Sequence, residues 1–235
     1  MKKGILAAAF AVLFFAQGAK AQTNLQTFYD FGKDRQYVTT TFEMFKGDEY
    51  GDTFFFIDHY YAQQGQRDKD AFSAINGSYF EIERGINFWQ DSDLKDFSAL
   101  IEYDGSTWGT GILCVGAKYF FHSDDYNNTF TAALLYDAHF GGLEPDVPIK
   151  FSGVWGFNNL FGAEGLTFKG FIDIWGNKSV FGLNDETNVS VLSEPQLWYA
   201  VGEHLNLGGE VELSYNFAGN KGFMCNPCLG VKWNF

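Results

Sequence analysis

The chain has 235 residues, and its 29 Asp and Glu side chains outnumber 16 Lys and Arg, which gives a formal net charge of −13. Because binding to a nucleic-acid backbone requires a basic surface, this balance argues against nucleic acid as a partner. Aromatic residues reach 19 %, with 27 Phe but only 4 Pro, an unusual composition for a soluble domain.

The first 21 residues have the three parts of a secretory signal peptide. Met1-Lys2-Lys3 begins the chain, an apolar run covers 5–15, and Ala19-Lys20-Ala21 supplies the small residues of a cleavage site. A membrane anchor is the alternative, but this run is too short to span a bilayer comfortably, and no run of 18 apolar residues follows it. We therefore predict a signal peptide over 1–21 and one exported domain over 22–235.

Apolar and polar residues alternate with a period of two throughout the exported domain, which predicts β-strands. Each predicted strand has roughly the 9–11 residues with which a tilted strand crosses a bilayer, or a few more. The twelve predicted strands cover 25–33, 36–46, 51–61, 77–89, 96–104, 110–121, 128–139, 147–158, 166–175, 189–200, 204–217 and 223–235.

The connections between these strands alternate in length. The long, polar connections are 62–76 and 176–188. Short turns at one rim and longer loops at the other are typical of outer-membrane barrels, whose short turns lie on the periplasmic side. Two connections depart from this pattern. Segments 34–35 and 105–109 are short, although they lie at the rim of the longer loops. The short connections are 47–50, 90–95, 122–127, 159–165 and 201–203.

The alternation separates an apolar face from a face with carboxylates. In 204–217 every second residue from Leu205 is apolar or glycine, and Glu210 and Glu212 lie between them. In a membrane barrel lipid contacts the apolar side and water fills the interior, and closure pairs every backbone group. We therefore predict an all-β fold, a single transmembrane antiparallel up-and-down β-barrel of about 12 strands in a lipid bilayer. A soluble β-sandwich is the alternative.

Aromatic residues stand at several predicted strand ends, where a barrel has its interfacial girdles. These pairs are 60–61, 88–89, 120–121 and 198–199. The last strand alternates Leu229, Val231, Trp233 and Phe235, and its terminal aromatic residue resembles the signal that outer-membrane proteins present to their insertion machinery. The predicted location is the outer membrane of a double-membraned bacterium, with that machinery as a partner.

The face opposite the apolar one carries many ionisable side chains. One interpretation is an ion-pair lattice that braces the barrel without a ligand. A water-filled interior accounts better for the whole set, because unpaired carboxylates in a dry interior are too costly. The candidate lumen bases are Lys118, Lys150, Lys169 and Lys232, and the candidate acids are Asp30, Glu43, Asp58, Glu81, Glu83, Glu102, Asp137, Asp173, Glu194, Glu210 and Glu212.

Arg84 falls on the outward face between Glu83 and Gly85. An arginine that faces lipid at the bilayer midplane costs roughly 2–4 kcal/mol. We therefore expect either a β-bulge at Arg84 or a position near a membrane interface.

Cys114, Cys225 and Cys228 remain after export, an odd number that excludes a disulfide framework. The pair in 225–228 would close a small local loop in an oxidising compartment, and it opens a strand-like segment rather than the helix expected of a redox motif.

Aromatic rings share the carboxylate face on the third and ninth predicted strands. Rings stack on flat solutes, and neighbouring carboxylates accept hydrogen bonds from sugar hydroxyls or ring amines. This combination suits nucleosides or sugars, whereas the simpler alternative is that Phe54 and Phe56 only fill a small barrel. The two series are Phe54, Phe56, Asp58 and Tyr60, and Lys169, Phe171, Asp173 and Trp175.

Residues 38–61 and 78–89 resemble the Tsx-like family of nucleoside-specific outer-membrane channels. The matching features are a strand ending in Phe-Glu-x-Phe, a tight acidic turn, an aromatic strand with Ile-Asp, and Phe-Glu-Ile-Glu after a long loop. Residues 193–202 and the last strand resemble the family as well. The chain departs from its pattern at Arg84-Gly85, where the family has proline and then arginine.

The resemblance implies a monomeric twelve-stranded barrel with a narrow passage for nucleosides and deoxynucleosides, lined by aromatic and ionisable side chains. By motif position it carries over Glu43, Phe56, Asp58, Glu81 and Glu83.

The resulting hypothesis is a porin-like channel for the passive diffusion of small polar solutes, and nucleosides are the favoured solutes. We expect no enzyme activity, no cofactor and no metal. The alternatives are a closed structural or adhesive barrel and an outer-membrane lipid hydrolase. A hydrolase of this kind needs a serine, a histidine and an acid close together. The sequence alone does not place any of the four histidines beside a serine and an acid. The predicted solute-binding residues of the lumen are Glu43, Phe54, Phe56, Asp58, Tyr60, Glu81, Glu83, Phe171, Asp173 and Trp175.

Overall fold

The computed structural model describes residues 21–33, 35–61, 75–109, 111–140, 144–178 and 188–235. The predicted signal peptide, apart from Ala21, and most of the two long predicted connections lie outside these residues. Thirteen strands and one 3-10 turn, Leu160–Gly162, are found in the described part. The strands are β1 Gln22–Asp30, β2 Val38–Asp48, β3 Gly51–Tyr61, β4 Ile75–Ile86, β5 Phe97–Ser106, β6 Gly111–His122, β7 Asn128–His139, β8 Ile149–Asn158, β9 Leu166–Asn177, β10 Asn188–Ser193, β11 Gln196–Ala200, β12 Leu205–Tyr215 and β13 Phe223–Asn234.

The strands form one closed antiparallel barrel. From β1 to β9 each strand pairs with the next along the chain. The first and last strands pair in register, with Asn24 opposite Asn234 and Asp30 opposite Cys228, so the sheet has no free edge. Closure satisfies the backbone hydrogen bonds within the sheet, as a lipid environment requires. The predicted all-β transmembrane barrel fold is confirmed.

The strands β10 and β11 are two halves of one barrel strand. Ser193 lies opposite Ile172 and Gln196 lies opposite Lys169 on β9, so the register continues across the break. Pro195 has no backbone N–H to donate at this point. On β9 the absence of a side chain at Gly170 admits the Glu194 carbonyl, which lies 2.5 Å from where a Cβ would be. The barrel therefore has the predicted twelve strand positions, but 189–200 is not continuous.

The barrel is polar inside and apolar outside. On β1 Gln26 and Asp30 are buried, whereas the alternate residues Leu25 and Tyr29 are 40 % and 41 % exposed. Among the described residues, 17 polar or charged side chains are buried but only 7 hydrophobic ones, the reverse of a soluble core. No helix in the described part has the length and apolarity needed to cross a membrane.

The strand register gives every candidate lumen acid and base an inward position. Glu43, Phe56 and Glu81 lie opposite one another on β2, β3 and β4, and the same face continues through Asp104 and Ile112. Continuing this alternation around the barrel places all eleven predicted acids and four predicted lysines inside.

Three of the predicted girdle residues are not in a girdle. Neighbouring residues of a strand point to opposite faces, so only one member of each aromatic pair can contact lipid. Tyr199 and Phe121 are on the outside, but Tyr60 and Phe120 line the interior. Trp198 is also inside and only 1 % exposed, with its ring 5.6 Å from that of Phe28.

Arg84 faces outward without a bulge, because the β3–β4 register is continuous at this position. Its guanidinium donates two hydrogen bonds of 2.8 Å to the carboxylate of Asp48, at the end of β2, and one of 3.0 Å to Thr53 Oγ1. Asp48 adjoins the short turn between β2 and β3, so the expected position near an interface is the correct alternative.

Cys225 and Cys228 lie on opposite faces of β13. Cys225 is exposed and Cys228 is buried, and both are free thiols. Three residues of strand separate their Cα atoms by roughly 10 Å, whereas a disulfide allows about 7 Å at most. The local loop that the sequence suggested does not form in this geometry.

Candidate functional site

A central cavity of about 330 Å³ lies inside the barrel. Nine of the ten predicted solute-binding residues line this cavity. They come from β2, β3, β4 and β9, and the alternation of side chains along each strand brings them to the inner face. Trp175 faces inward but does not line the cavity, and its ring instead packs edge-on against Phe217 at 5.9 Å. The nine residues are Glu43, Phe54, Phe56, Asp58, Tyr60, Glu81, Glu83, Phe171 and Asp173.

Aromatic rings form one continuous wall on β3 and β4. The ring centroids of Phe54 and Phe56 are 6.1 Å apart, and Tyr79 continues the series at 5.9 Å from Phe56. The Tyr79 hydroxyl donates a hydrogen bond of 2.5 Å to Glu81, and the Tyr60 hydroxyl donates one of 3.3 Å to Asp58. We call Phe54, Phe56 and Tyr79 the aromatic wall. The sequence analysis missed Tyr79, although it alternates with Glu81 on the same face.

Basic side chains inside the barrel neutralise some of the acids. Lys169 Nζ lies 3.0 Å from Glu43, and the guanidinium of Arg35 donates to both carboxylate oxygens of Glu212 at 2.6 and 2.7 Å. Arg35 lies between β1 and β2 and was also missed, because the sequence places it in a loop rather than on a strand face. Lys232 has no acid within 4.0 Å in the described part, and its ammonium lies 4.6 Å above the Trp198 ring.

Lys150 is the most deeply buried of these bases, with 6 % of its surface exposed. Its ammonium is 2.6 Å from Glu102, 3.4 Å from Asp173 and 3.9 Å from Asp104. One cation therefore bridges three carboxylates from β5 and β9.

The acids nevertheless far outnumber the bases. Eleven carboxylates and four basic groups line the central cavity. Five of these acids form no ion pair with another described residue, and at Asp58 only the Thr41 and Tyr60 hydroxyls donate hydrogen bonds. Such an excess of carboxylates is stable only in a hydrated interior. The five are Asp58, Glu81, Glu83, Glu194 and Glu210.

A second cavity of about 700 Å³ lies at the rim formed by the short turns, which we call the turn-side rim. It shares four lining residues with the central cavity, and we call them the neck: Phe45, Asp52, Lys118 and Thr131. The ammonium of Lys118 contacts Asp52 at 2.5 Å, and the lysine side chain passes Gly85 on β4, one of the two strands between them. A Cβ at Gly85 would lie 2.5 Å from an Asp52 carboxylate oxygen, so a side chain at this position would displace the ion pair from its present geometry.

A family model described as a domain of unknown function, DUF5020, matches residues 21–235. The chain belongs to the DUF5020 family. No curated protein matches its sequence. The resemblance to Tsx-like channels stays a prediction, as does the nucleoside specificity that it implies.

The DUF5020 barrel is similar to solved outer-membrane proteins. The NanC porin is 11 % identical with a TM-score of 0.58, and the alignment covers 91 % of this chain and 100 % of that chain. The KdgM porin in complex with disordered oligogalacturonate is 9 % identical with a TM-score of 0.53, covering 91 % and 99 %. The outer membrane phospholipase of Salmonella typhi, a dimer with bound calcium, is 11 % identical with a TM-score of 0.55, covering 100 % and 98 %. Porins and a phospholipase share this architecture, so the likeness shows the fold alone.

On the outer surface of the DUF5020 chain, one histidine ring lies within hydrogen-bond distance of a serine hydroxyl. His59 Nδ1 and Ser78 Oγ are 2.8 Å apart near the rim opposite the turns. A serine hydrolase also needs a carboxylate or amide to orient the histidine. In the described part of the chain, no such group hydrogen-bonds to His59. The pair therefore falls short of a catalytic triad.

Proposed function

We propose that the protein is a passive channel for small polar solutes in the outer membrane of a double-membraned bacterium. The observation that carries this proposal is the central cavity with eleven carboxylates against four bases. These charges require water, and a barrel with an apolar outer surface and a hydrated interior is suited to let small solutes cross a membrane. Transport would proceed by diffusion between weak sites, since tight binding would slow the exit of the solute.

Nucleosides are the solutes that this lining favours. Phe54 and Phe56 offer flat surfaces on which a base can stack, and Asp58 and Glu81 offer acceptors for sugar hydroxyls or ring amines. Free nucleotides are disfavoured because their phosphates would be repelled by the excess of carboxylates. The resemblance of 38–61 and 78–89 to Tsx-like channels supports the same choice and also leads us to expect a monomer.

Solute entry into liposomes that carry the purified barrel tests this proposal. Adenosine, thymidine, ribose, glucose and a nucleotide are compared at equal osmolarity. Nucleosides should enter faster than the smaller ribose, and Phe56→Leu should reduce this preference. Phe55→Leu is the matched control, because Phe55 is the adjacent residue on the lipid-facing side of the same strand. Entry ranked by solute size alone would contradict nucleoside selectivity, and no entry of any solute would contradict the channel.

A closed barrel is the second candidate, and the neck is the observation that favours it. The Lys118–Asp52 ion pair and the Phe45 ring bound the passage between the two cavities. A closed barrel would give no ion conductance in a planar bilayer, whereas a channel would give discrete conductance steps.

A further inference from the structure

Three glutamates meet on the wall formed by β4 and β5. Glu83 lies directly opposite Glu102 in the strand register, and Glu81 is two residues before Glu83 on the same inward face. A carboxylate oxygen from each of the three lies within 4.8 Å of the others. Like charges directly opposite each other are unfavourable in a sheet, so this arrangement needs a compensating positive charge.

The protein itself does not supply enough positive charge. Lys150 approaches Glu102, but its ammonium is shared with Asp173 and Asp104. Glu81 and Glu83 form no ion pair with any described residue. Lys150 is thus shared by three carboxylates, and the nearby Lys118 is already paired with Asp52.

A buried carboxylate without a full set of partners points independently to a missing cation. Asp104 lies opposite Glu81 and is 5 % exposed, and its Oδ1 atom has no hydrogen-bond partner. One of its oxygens lies within 4.8 Å of a Glu102 oxygen, so the Asp104 carboxylate belongs to the same cluster. A buried charged acceptor that is left unsatisfied destabilises the fold. A cation bound beside Glu102 would offset part of this penalty through its charge.

We propose that Glu81, Glu83 and Glu102 bind a divalent cation of the calcium type, with Asp104 behind them in electrostatic support. The donors are all carboxylate oxygens, which hard cations prefer, and their mutual spacing allows Ca–O distances of about 2.3–2.6 Å. All three glutamates line the central cavity, so water from the cavity completes the coordination of the ion. Ca²⁺ suits this site better than Mg²⁺, which demands a stricter octahedral geometry.

The proposed cation site is separate from the proposed transport function, because cation binding does not depend on which solute crosses the barrel. An occupied site would change the charge of the wall next to the aromatic residues. Tyr79 connects the two features, since its hydroxyl donates a hydrogen bond to Glu81.

Terbium luminescence tests the proposal on the purified barrel in detergent. The Tyr79 ring adjoins Glu81 and should sensitise a Tb³⁺ ion bound there, and Ca²⁺ should displace the Tb³⁺ and abolish the emission. We expect Glu83→Gln to weaken Tb³⁺ and Ca²⁺ binding by about tenfold or more, because it removes one ligand charge. Glu210→Gln is the matched control, since it removes a lumen carboxylate that has no ion pair among the described residues and lies on β12, away from the strands of the three glutamates.

Each outcome decides the proposal. Emission that Ca²⁺ does not displace, or equal affinities of the wild-type protein and Glu83→Gln, would overturn it, as would an equal loss in Glu210→Gln. Heat-modifiable migration on gels checks that each variant is folded. If Glu83→Gln does not fold, the wild-type protein still decides, because a bound ion must raise its unfolding temperature at saturating Ca²⁺. An unchanged unfolding temperature would mean that the carboxylates share protons instead of an ion.

Discussion

Lys118 on β6 contacts Asp52 on β3 across the two strands between them, at a distance of 2.5 Å. This ion pair lies where the central cavity meets the turn-side cavity, so both side chains border the passage of the proposed channel. Removing the lysine head group should widen the neck and leave Asp52 free to move into solvent.

We expect Lys118→Met to increase single-channel conductance in planar bilayers. The variant should also unfold more easily by about 1–3 kcal/mol, because Asp52 loses its charged partner. Lys232→Met is the matched control, since Lys232 is an inward lysine that has no acid within ion-pair distance among the described residues. Equal conductance of Lys118→Met and the wild-type protein would show that the neck does not limit flow.

Charge selectivity is the second expectation. The cavity has eleven carboxylates and four bases, so cations should be concentrated in it and anions excluded. The reversal potential in a KCl gradient should therefore have the sign of a cation-selective pore. Glu194→Gln combined with Glu210→Gln should reduce it, because both carboxylates line the cavity without an ion pair. Glu203→Gln, in a turn outside the cavity, should leave the potential unchanged; an anion-selective pore would contradict the hydrated acidic lumen.

The faces of the strands could be predicted from the sequence because side chains alternate strictly along a strand. In 204–217 the pattern separates Leu205 and Leu207 from Glu210 and Glu212, and the register confirms this division. The same rule, extended to strand ends, would also have identified Tyr79, Asp52 and Asp104 as residues that face the interior of the barrel.

The contacts across the barrel could not be predicted from the sequence. Lys118 and Asp52 are 66 residues apart, and Arg35 and Glu212 are 177 apart. Their meeting depends on strand order, closure and the lack of a side chain at Gly85, none of which a local pattern contains. The break at Pro195 was missed for a related reason, because the space that accommodates it is provided by Gly170 on another strand.

The cysteines provide a simple test of the register. Because Cys225 and Cys228 face opposite sides of β13, reducing agent should leave the unfolding temperature and gel migration unchanged. Alkylation under denaturing conditions without reductant should modify all three thiols of the chain, as measured by intact mass. A mass two hydrogens lower, with two thiols protected, would contradict the placement of these residues.

The turn between β6 and β7 should make stability depend on pH. The hydroxyl of Ser123 and the backbone and side-chain amides of Asn127 donate hydrogen bonds to Asp125 and lower its pKa to about 2. A carboxyl whose pKa is lower in the folded state stabilises the protein above its unfolded pKa of about 4, and this contribution is lost as the pH falls through the folded pKa.

Asp125→Asn should therefore be less stable than the wild-type protein near neutral pH, with the difference vanishing towards pH 2. Thermal unfolding across this range measures the effect. Asp124→Asn removes the neighbouring exposed carboxylate, which forms none of these hydrogen bonds, and should not show the same pH dependence. A difference that persists unchanged to low pH would argue against the ionised Asp125 as its cause.

Lys150 should be the most important single lysine for stability. It is 6 % exposed and holds Glu102, Asp104 and Asp173 together. Removing one partner of a buried ion pair typically costs about 3–5 kcal/mol, so Lys150→Met should lower the free energy of unfolding by that amount in urea titrations of the barrel in lipid vesicles.

Lys169→Met provides the comparison, because Lys169 is more exposed and its partner Glu43 also accepts hydrogen bonds from Asn24 and Gln26 at 3.0 and 3.2 Å. Its loss should therefore destabilise the barrel clearly less. Ca²⁺ should partly restore the stability of Lys150→Met, since a cation at Glu81, Glu83 and Glu102 would replace the missing positive charge. Equal destabilisation by the two substitutions would mean that water screens the acids around Lys150, and that this wall has no need of a bound ion.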